Sequence, residues 1–325
     1  MRLIINILIF LIFAKFSYGQ KISKSTQKIV KNLEKINQVQ CARIGFTGST
    51  SSQYATYKKL CKLATSKELI TLTDYTNETV RCYAFQCLAD KGNANLFPIL
   101  LKHLSDNKSV TTFCGCIESS TLVGDYFVQI ATPKLNSKQK EILDSIIIFK
   151  NGINLNSKQE LLSKILPTPK YHNRIRQIAK NEKNEIAALA LARYKDPNDI
   201  NIIKQFFNKE KTEYYAIYAA KEFPNSSFYP LLEKIFIREW KKENYDYPKW
   251  RILYQALAKY PNKKTFEFFK LTTETKDSFR YQTLCTYLKI ALRKYPNKIY
   301  EPLKKKIILD NYHQKEVEQE MKYEN

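Results

Sequence analysis

The densest collection of groups able to do chemistry lies in Phe113-Cys114-Gly115-Cys116-Ile117-Glu118-Ser119-Ser120-Thr121-Leu122-Val123-Gly124-Asp125-Tyr126. It holds two carboxylates, three aliphatic hydroxyls and two of the chain's 7 glycines. Glycine inside a helical pattern lets a ligand or a second backbone come close. Glu118 and Asp125 are therefore expected to line a ligand-binding groove, with plain helix-to-helix packing at Gly115 and Gly124 as the competing expectation. An enzymatic reading would require a polar cleft with coupled ionisable groups around these two carboxylates.

A second constellation interleaves rings and cations. Tyr214, Tyr215, Tyr218, Trp240, Tyr245, Tyr247 and Trp250 alternate with Arg238, Lys241, Lys242 and Lys249. Aromatic and cationic side chains together are favoured at recognition surfaces, so Arg238, Trp240, Lys241, Tyr245, Tyr247 and Trp250 are candidate binding residues. The alternative is that the rings fill a thicker packing layer.

Other catalytic signatures are missing. No Ser, His and Asp arrangement and no H-E-x-x-H motif is present. Gly45-Phe46-Thr47-Gly48-Ser49-Thr50-Ser51-Ser52 lacks the lysine and the preceding apolar strand of a phosphate-binding loop, and reads as a flexible linker between helices around Ile29–Ile36 and Tyr54–Leu63. His103, beside Leu100, Leu101 and Leu104, reads as a packed or surface histidine, and His172 belongs to a basic helix start, Tyr171-His172-Asn173-Arg174-Ile175-Arg176. The 7 cysteines are an odd number, so at least one is free or intermolecular if the others pair. Cys82 and Cys87, five apart on one helix, point to diverging faces and are poor partners for each other. Cys114-Gly115-Cys116 does not match a structural zinc spacing, and only His103, His172 and His313 are available as imidazole ligands. Buried thiols with one or two disulfides are expected, with no catalytic residue, no cofactor and no metal.

The elements that would position these groups follow from what surrounds them. Residues 1–19 place Arg2 before an apolar run from Leu3 to Ala14 and then Ser17-Tyr18-Gly19, the pattern of a signal peptide with a small-x-small cleavage site. The run falls short of the roughly 20 apolar residues a membrane-spanning helix needs, so no transmembrane segment is expected after cleavage, and the chain is expected to be secreted or periplasmic. Losing Arg2 and Lys15 with the leader lowers the formal charge from +23 to +21. A partner chosen by electrostatics is then anionic, and export argues against nucleic acid.

The pentapeptide Lys-Tyr-Pro-Asn-Lys occurs twice, at 259–263 and 294–298. Leu253, Ala256 and Leu257 precede Tyr260 as Leu288, Ala291 and Leu292 precede Tyr295, offsets that define one helical face. The proline then ends the helix, because the residue before a proline is driven out of the α region. A second apolar set follows: Phe266 and Phe269 in one copy, Tyr300, Leu303 and Ile307 in the other. Earlier copies run through Ala216, Ala219, Ala220 and Phe223 to Pro224-Asn225, through Ala187, Ala190, Leu191 and Tyr194 to Pro197-Asn198, and through Ala84, Cys87 and Leu88 to Gly92-Asn93. Pro98, Pro230 and Pro302 each lie five residues after the Asn of their copy, where a first helical turn tolerates proline. Ser227 and Asn95 are expected N-caps. Asn136-Ser137-Lys138-Gln139 and Asn156-Ser157-Lys158-Gln159 are expected to open two further helices, with Ser157 and Glu160 forming a capping box.

Paired helices recurring at such intervals predict an all-α chain, an α-solenoid in which neighbouring hairpins cover one another. The lines Thr79-Val80-Arg81-Cys82-Tyr83-Ala84-Phe85-Gln86-Cys87-Leu88-Ala89 and Glu185-Ile186-Ala187-Ala188-Leu189-Ala190-Leu191-Ala192 resemble the V-R-x-x-A-x-x-A-L strip of HEAT-like repeats. The resemblance implies a HEAT-like solenoid over 65–309, preceded by N-terminal helices and a linker at 20–64 and followed by a helical or disordered tail at 310–325. It implies binding rather than catalysis, with a protein partner on the concave face. A binder of anionic lipid headgroups or acidic polysaccharide is the second expectation, and an enzyme with its site near Glu118 and Asp125 the third.

Overall fold

A computed structural model describes residues 22–92, 94–242 and 245–322, so the expected leader at 1–19 lies outside the described residues. The chain is mostly helical, with eighteen α-helices and one four-stranded sheet among the described residues. Two compact units divide between Glu160 and Leu161.

The first unit runs α1 (Lys24–Ile36), β1 (Val39–Ile44), β2 (Ser49–Thr50), α2 (Ser52–Leu63), α3 (Ser66–Leu72), α4 (Glu78–Lys91), α5 (Leu96–His103), β3 (Ser109–Gly115), β4 (Ile117–Leu122), α6 (Val123–Ala131) and α7 (Ser137–Phe149), reaching into α8 (Asn156–Lys164). Its centre is α4, where every residue from Thr79 to Ala89 is buried except Gln86. A helix covered on all sides needs apolar residues all round rather than along one stripe. Its start is set by Asn77, whose side chain accepts from the Val80 amide at 3.0 Å. Asn136 and Gln139 form the capping box that opens α7.

Strands appear where a linker and irregular helices are expected from the sequence. The sheet order is β2-β1-β3-β4, with β1 and β3 parallel and the other pairs antiparallel. In the Gly-rich run 45–52, the Gly48 amide bonds to the Gly45 carbonyl at 3.0 Å, β2 folds back on β1, and the Ser51 side chain caps α2. Residues 109–122 form a hairpin closed by Gly115-Cys116, with Gly115 at φ +57°. A two-residue loop with positive φ at its first central residue is the II′ geometry, which calls for glycine there, and the flanking Val110, Thr111, Thr112, Phe113, Ile117 and Thr121 are strand formers. Gly124 does pack closely: a Cβ there would come within 2.8 Å of Leu155 and 2.9 Å of the His103 carbonyl. Disulfides join Cys41 of β1 to Cys114 of β3 and Cys61 of α2 to Cys87 of α4, leaving Cys82 and Cys285 as buried thiols and Cys116 as an exposed one.

The second unit continues with α9 (Pro169–Asn181), α10 (Glu185–Ala192), α11 (Ile200–Lys204), α12 (Glu210–Glu222), α13 (Tyr229–Trp240), α14 (Tyr247–Ala258), α15 (Lys263–Thr273), α16 (Ser278–Lys294), α17 (Glu301–Lys306) and α18 (Asn311–Lys322). Helices α10, α12, α14, α16 and α18 pack on one another in chain order, and α11, α13, α15 and α17 return beside them. The repeated small and large positions are the contact surfaces: Ala187, Ala190 and Leu191, then Ala216, Ala219 and Ala220, then Leu253, Ala256 and Leu257, then Leu288, Ala291 and Leu292 are all fully buried. At three bends the asparagine itself is the cap: Asn225, Asn262 and Asn297 accept from the amides of Ser227, Thr265 and Ile299 at 3.0–3.1 Å. Ser227 is thus inside the short turn that Asn225 caps, whereas Asn95 caps α5 as its sequence position implies. Pro230 and Pro302 occupy the first turns of α13 and α17, where the missing amide leaves no bond unmade. No helix among the described residues is long and apolar enough to cross a membrane.

Candidate functional site

Glu118 and Asp125 do not share a groove. Glu118 pairs with Phe113 across the hairpin and accepts from Gln38 Nε2 at 2.8 Å, an exposed contact. Its side chain lies on the opposite sheet face from Ser119 and Thr121, because strand side chains alternate. Asp125, in the first turn of α6 and only 8% exposed, accepts from the amides of Asn156 and Ser157 at 2.9 and 2.8 Å and from the Ser157 hydroxyl at 2.6 Å. A carboxylate thus caps α8 from outside, where the helix's positive end favours it, and the amide and hydroxyl of Ser157 go to Asp125.

The ring-and-cation cluster separates into two internal arrangements. Arg238 forks onto Glu213, with Nη1 donating to Oε1 at 3.0 Å and Nη2 to Oε2, and also donates to Glu239. Glu213 and Glu239 are 1% and 2% exposed. Lys249, itself buried, stands 3.8 Å from Glu210, Glu213 and Glu239. Hydrogen bonding to Glu213 raises the Arg238 pKa further despite partial burial. The rings do the packing: Trp250 is buried and meets Phe236, Trp240 and Tyr245, while Tyr247 lies 6.3 Å from both Tyr245 and Phe279. Arg280, unflagged by the sequence pattern, stacks its guanidinium over Trp240 and Tyr245 at 4.3 and 4.2 Å. Lys241 is exposed just past α13. Of the six candidates in this region, Arg238 is engaged by Glu213 and Glu239 and Trp250 is committed to the interior.

His172, Asp196 and Asp199 place ligand atoms within 4.8 Å of one another, a spacing a metal ion could use. Their cation is already present as Arg176, which donates from Nε to Asp199 at 2.6 Å and from Nη2 to Asp196 at 2.9 Å, while His172 Nε2 lies 2.6 Å from Asp199. The ring of His172 stacks on Tyr194 at 4.1 Å. The basic start of α9 therefore meets an anion supplied by the chain, joining α9 to the bend after α10.

A surface feature that the sequence pattern only half marked crosses four successive helices of the row. Tyr214, Tyr218 and Lys221 on α12, at offsets of four and seven, face Pro248, Arg251, Ile252 and Gln255 on α14, Tyr287 on α16 and Glu320 on α18, lining a groove of about 270 Å³. Lys221 Nζ stands 4.0 Å over the Tyr218 ring. Burial works against its charge, and Tyr218, Tyr295 and Glu222 outweigh that, so its pKa rises. Burial also raises the pKa values of Tyr214 and Tyr287, keeping both phenols neutral donors at physiological pH. At one end of the groove Glu320 accepts from Arg251 and, at 3.0 Å, from Lys294. Burial disfavours its charge, yet the hydrogen bonds from Arg251 and Lys294 prevail and its pKa falls below the ordinary carboxylate value. The groove offers phenol rings for packing, phenol hydroxyls for hydrogen bonds, and cations that hold a carboxylate.

Comparison with known protein families, with curated proteins and with solved structures finds no match to this chain.

Proposed function

We propose that this is an exported HEAT-like repeat protein that acts by binding an acidic, extended segment of a partner protein along the open face of α12, α14, α16 and α18. The observation that carries the reading is the Glu320 carboxylate held between Arg251 and Lys294 beside a run of tyrosines. The chain itself displays the ligand chemistry the groove accepts. Each successive helix adds one stripe of side chains to such a face, so a row of hairpins suits a partner that is long rather than compact. Two disulfides support export, since such bonds persist in oxidising compartments.

The reading is tested by titrating a fluorescent peptide of alternating Glu and Leu into the full chain. Tyr218→Ala and Arg251→Ala are expected to weaken binding about tenfold each, the loss of roughly one charge-assisted hydrogen bond or one ring contact, while Lys241→Ala leaves it unchanged. Equal affinity in all four proteins overturns it.

A further inference from the structure

A second cleft, independent of the groove above, lies wholly in the first unit. It separates one face of the sheet from α2, α4 and α6 and encloses about 560 Å³, within the roughly 300–1,000 Å³ usual for small-molecule sites. Strand alternation places Val39 and Cys41 of β1, Thr112 and Cys114 of β3, and Ser119 and Thr121 of β4 on that face, which the register confirms by pairing Val39 with Thr112 and Thr112 with Ser119. Tyr54, Gln86, Tyr126 and Gln129 close it from the helices, and the Cys41–Cys114 disulfide joins the two central strands beneath it.

The lining contains no Asp, Glu, Lys, Arg or His, in a chain whose formal charge is +23. An ion entering such a cleft would lose hydration and meet no countercharge. What the cleft offers is neutral polarity with aromatic walls. Gln86 is the one residue of the Thr79–Ala89 stretch that is not buried. Its Oε1 accepts from the Tyr126 hydroxyl at 2.5 Å, which fixes the orientation of the amide and leaves its NH2 as donor. The Tyr54 and Thr121 hydroxyls and the Gln129 amide make no hydrogen bond among the described residues. The cleft lies over a face of the sheet rather than along a strand edge, so a peptide within it cannot add as a further strand and recognition falls to side chains. An acyl chain would strand these amides and hydroxyls without partners.

From this we infer that the cleft is a binding site for an uncharged saccharide. A pyranose ring carries hydroxyls that both donate and accept around its rim and an apolar C–H face for the part-exposed ring of Tyr54, which matches donors, acceptors and an aromatic surface without charge. The test is an NMR titration of the full-length chain with maltotriose, triacetylchitotriose and the charged trigalacturonate. One of the neutral trisaccharides should saturate and shift the amides of Gln86, Thr112, Ser119 and Tyr126, with trigalacturonate at least tenfold weaker. Gln86→Leu and Gln129→Ala should each weaken binding about tenfold. Gln129 is exposed, so its variant decides the matter if Gln86→Leu does not fold. Failure of both neutral sugars to saturate, equal binding of trigalacturonate, or unchanged affinity in Gln129→Ala overturns the assignment, and none of these outcomes touches the groove of the second unit.

Discussion

The hydroxyl of Tyr260 accepts a hydrogen bond from the backbone amide of Asn225 at 3.2 Å, tying the end of α14 to the bend that closes α12. It also donates to the Ala220 carbonyl at 3.2 Å. The tyrosine of one Lys-Tyr-Pro-Asn-Lys copy thus latches the bend of the copy before it, and the asparagine caps the helix that follows. Tyr229 adds a second tie between the same bends by donating to Asn262 Oδ1 at 3.0 Å. In the second copy Asn297 likewise caps the turn that follows, accepting from the Ile299 amide at 3.1 Å, and Lys259 Nζ of the first copy stands 4.7 Å over the Tyr295 ring.

Removing the latch alone should be measurable. Tyr260→Phe keeps the ring and leaves a part-buried amide and a buried carbonyl short of a partner, for an expected loss of about 1–3 kcal/mol. Asn262→Ala, which removes the cap of α15, should cost about 0.5–2 kcal/mol. Urea unfolding followed by circular dichroism checks both, and a Tyr260→Phe protein as stable as the parent contradicts the latch.

Reduction should act on one unit only. Both disulfides lie in the first unit, spanning 26 and 73 residues, and loops of those lengths correspond to about 3.5 and about 4.4 kcal/mol in the chain-entropy account. Reduced protein should therefore lose hydrogen-exchange protection in α2 and α4 while α14 and α16 keep theirs. Thiol labelling of the native oxidised chain should modify Cys116 and spare the buried Cys82 and Cys285. Rapid labelling of all three contradicts the packing described.

The first unit should weaken on mild acidification. His103 is 7% exposed, with Asp74 and Asp106 facing it at 3.2 and 3.7 Å and Lys102 beside it. Arg81 from α4 pairs with the same Asp106 at 3.0 Å. Burial is the largest influence and favours the neutral ring, so the folded pKa lies below the ordinary histidine value, although the two aspartates oppose this. The unfolded chain then binds the proton more readily. The stabilisation is present above the unfolded pKa of about 6.5 and is lost as pH falls through the folded pKa. Melting temperature should drop between about pH 7 and pH 5, and His103→Gln should flatten that dependence; an equally steep profile in the variant refutes it.

What the sequence disclosed was limited by the range of the interactions concerned. The stacked helices of the second unit were legible because Ala216, Ala219 and Ala220 or Leu253, Ala256 and Leu257 record their packing within a single turn or two. The sheet was not, since Val39 finds Thr112 only through the fold. The hairpin does carry a local signal, Gly115-Cys116 between β-branched and aromatic residues, but it stands among helical repeats that supply the same apolar residue types. Arg238, Lys242 and Lys249 look available in the sequence because two of the three buried or surface acids that engage them, Glu210 and Glu213, lie a helix away and only Glu239 is local. For the same reason Tyr214 and Tyr218 stood within a flagged cluster while Arg251, Tyr287 and Glu320, which complete their groove, did not.

Glu320→Gln should loosen the terminal helix, because Arg251 and Lys294 then face a neutral amide. Exchange protection in α18 is expected to fall, and the groove's affinity for the Glu-Leu peptide to rise, as its own carboxylate competes less. Unchanged protection and affinity would remove Glu320 as a stand-in for the partner's acid.

The most direct measurement places a photo-reactive benzoylphenylalanine at Tyr218, inside the groove, or at the exposed Lys234 of α13 as a control, in protein produced by its native host. A discrete protein adduct from position 218 that survives moderate salt, with none from 234, is the predicted result. Identical adducts from both positions, or only lipid or glycan attached at 218, would contradict a protein-binding groove.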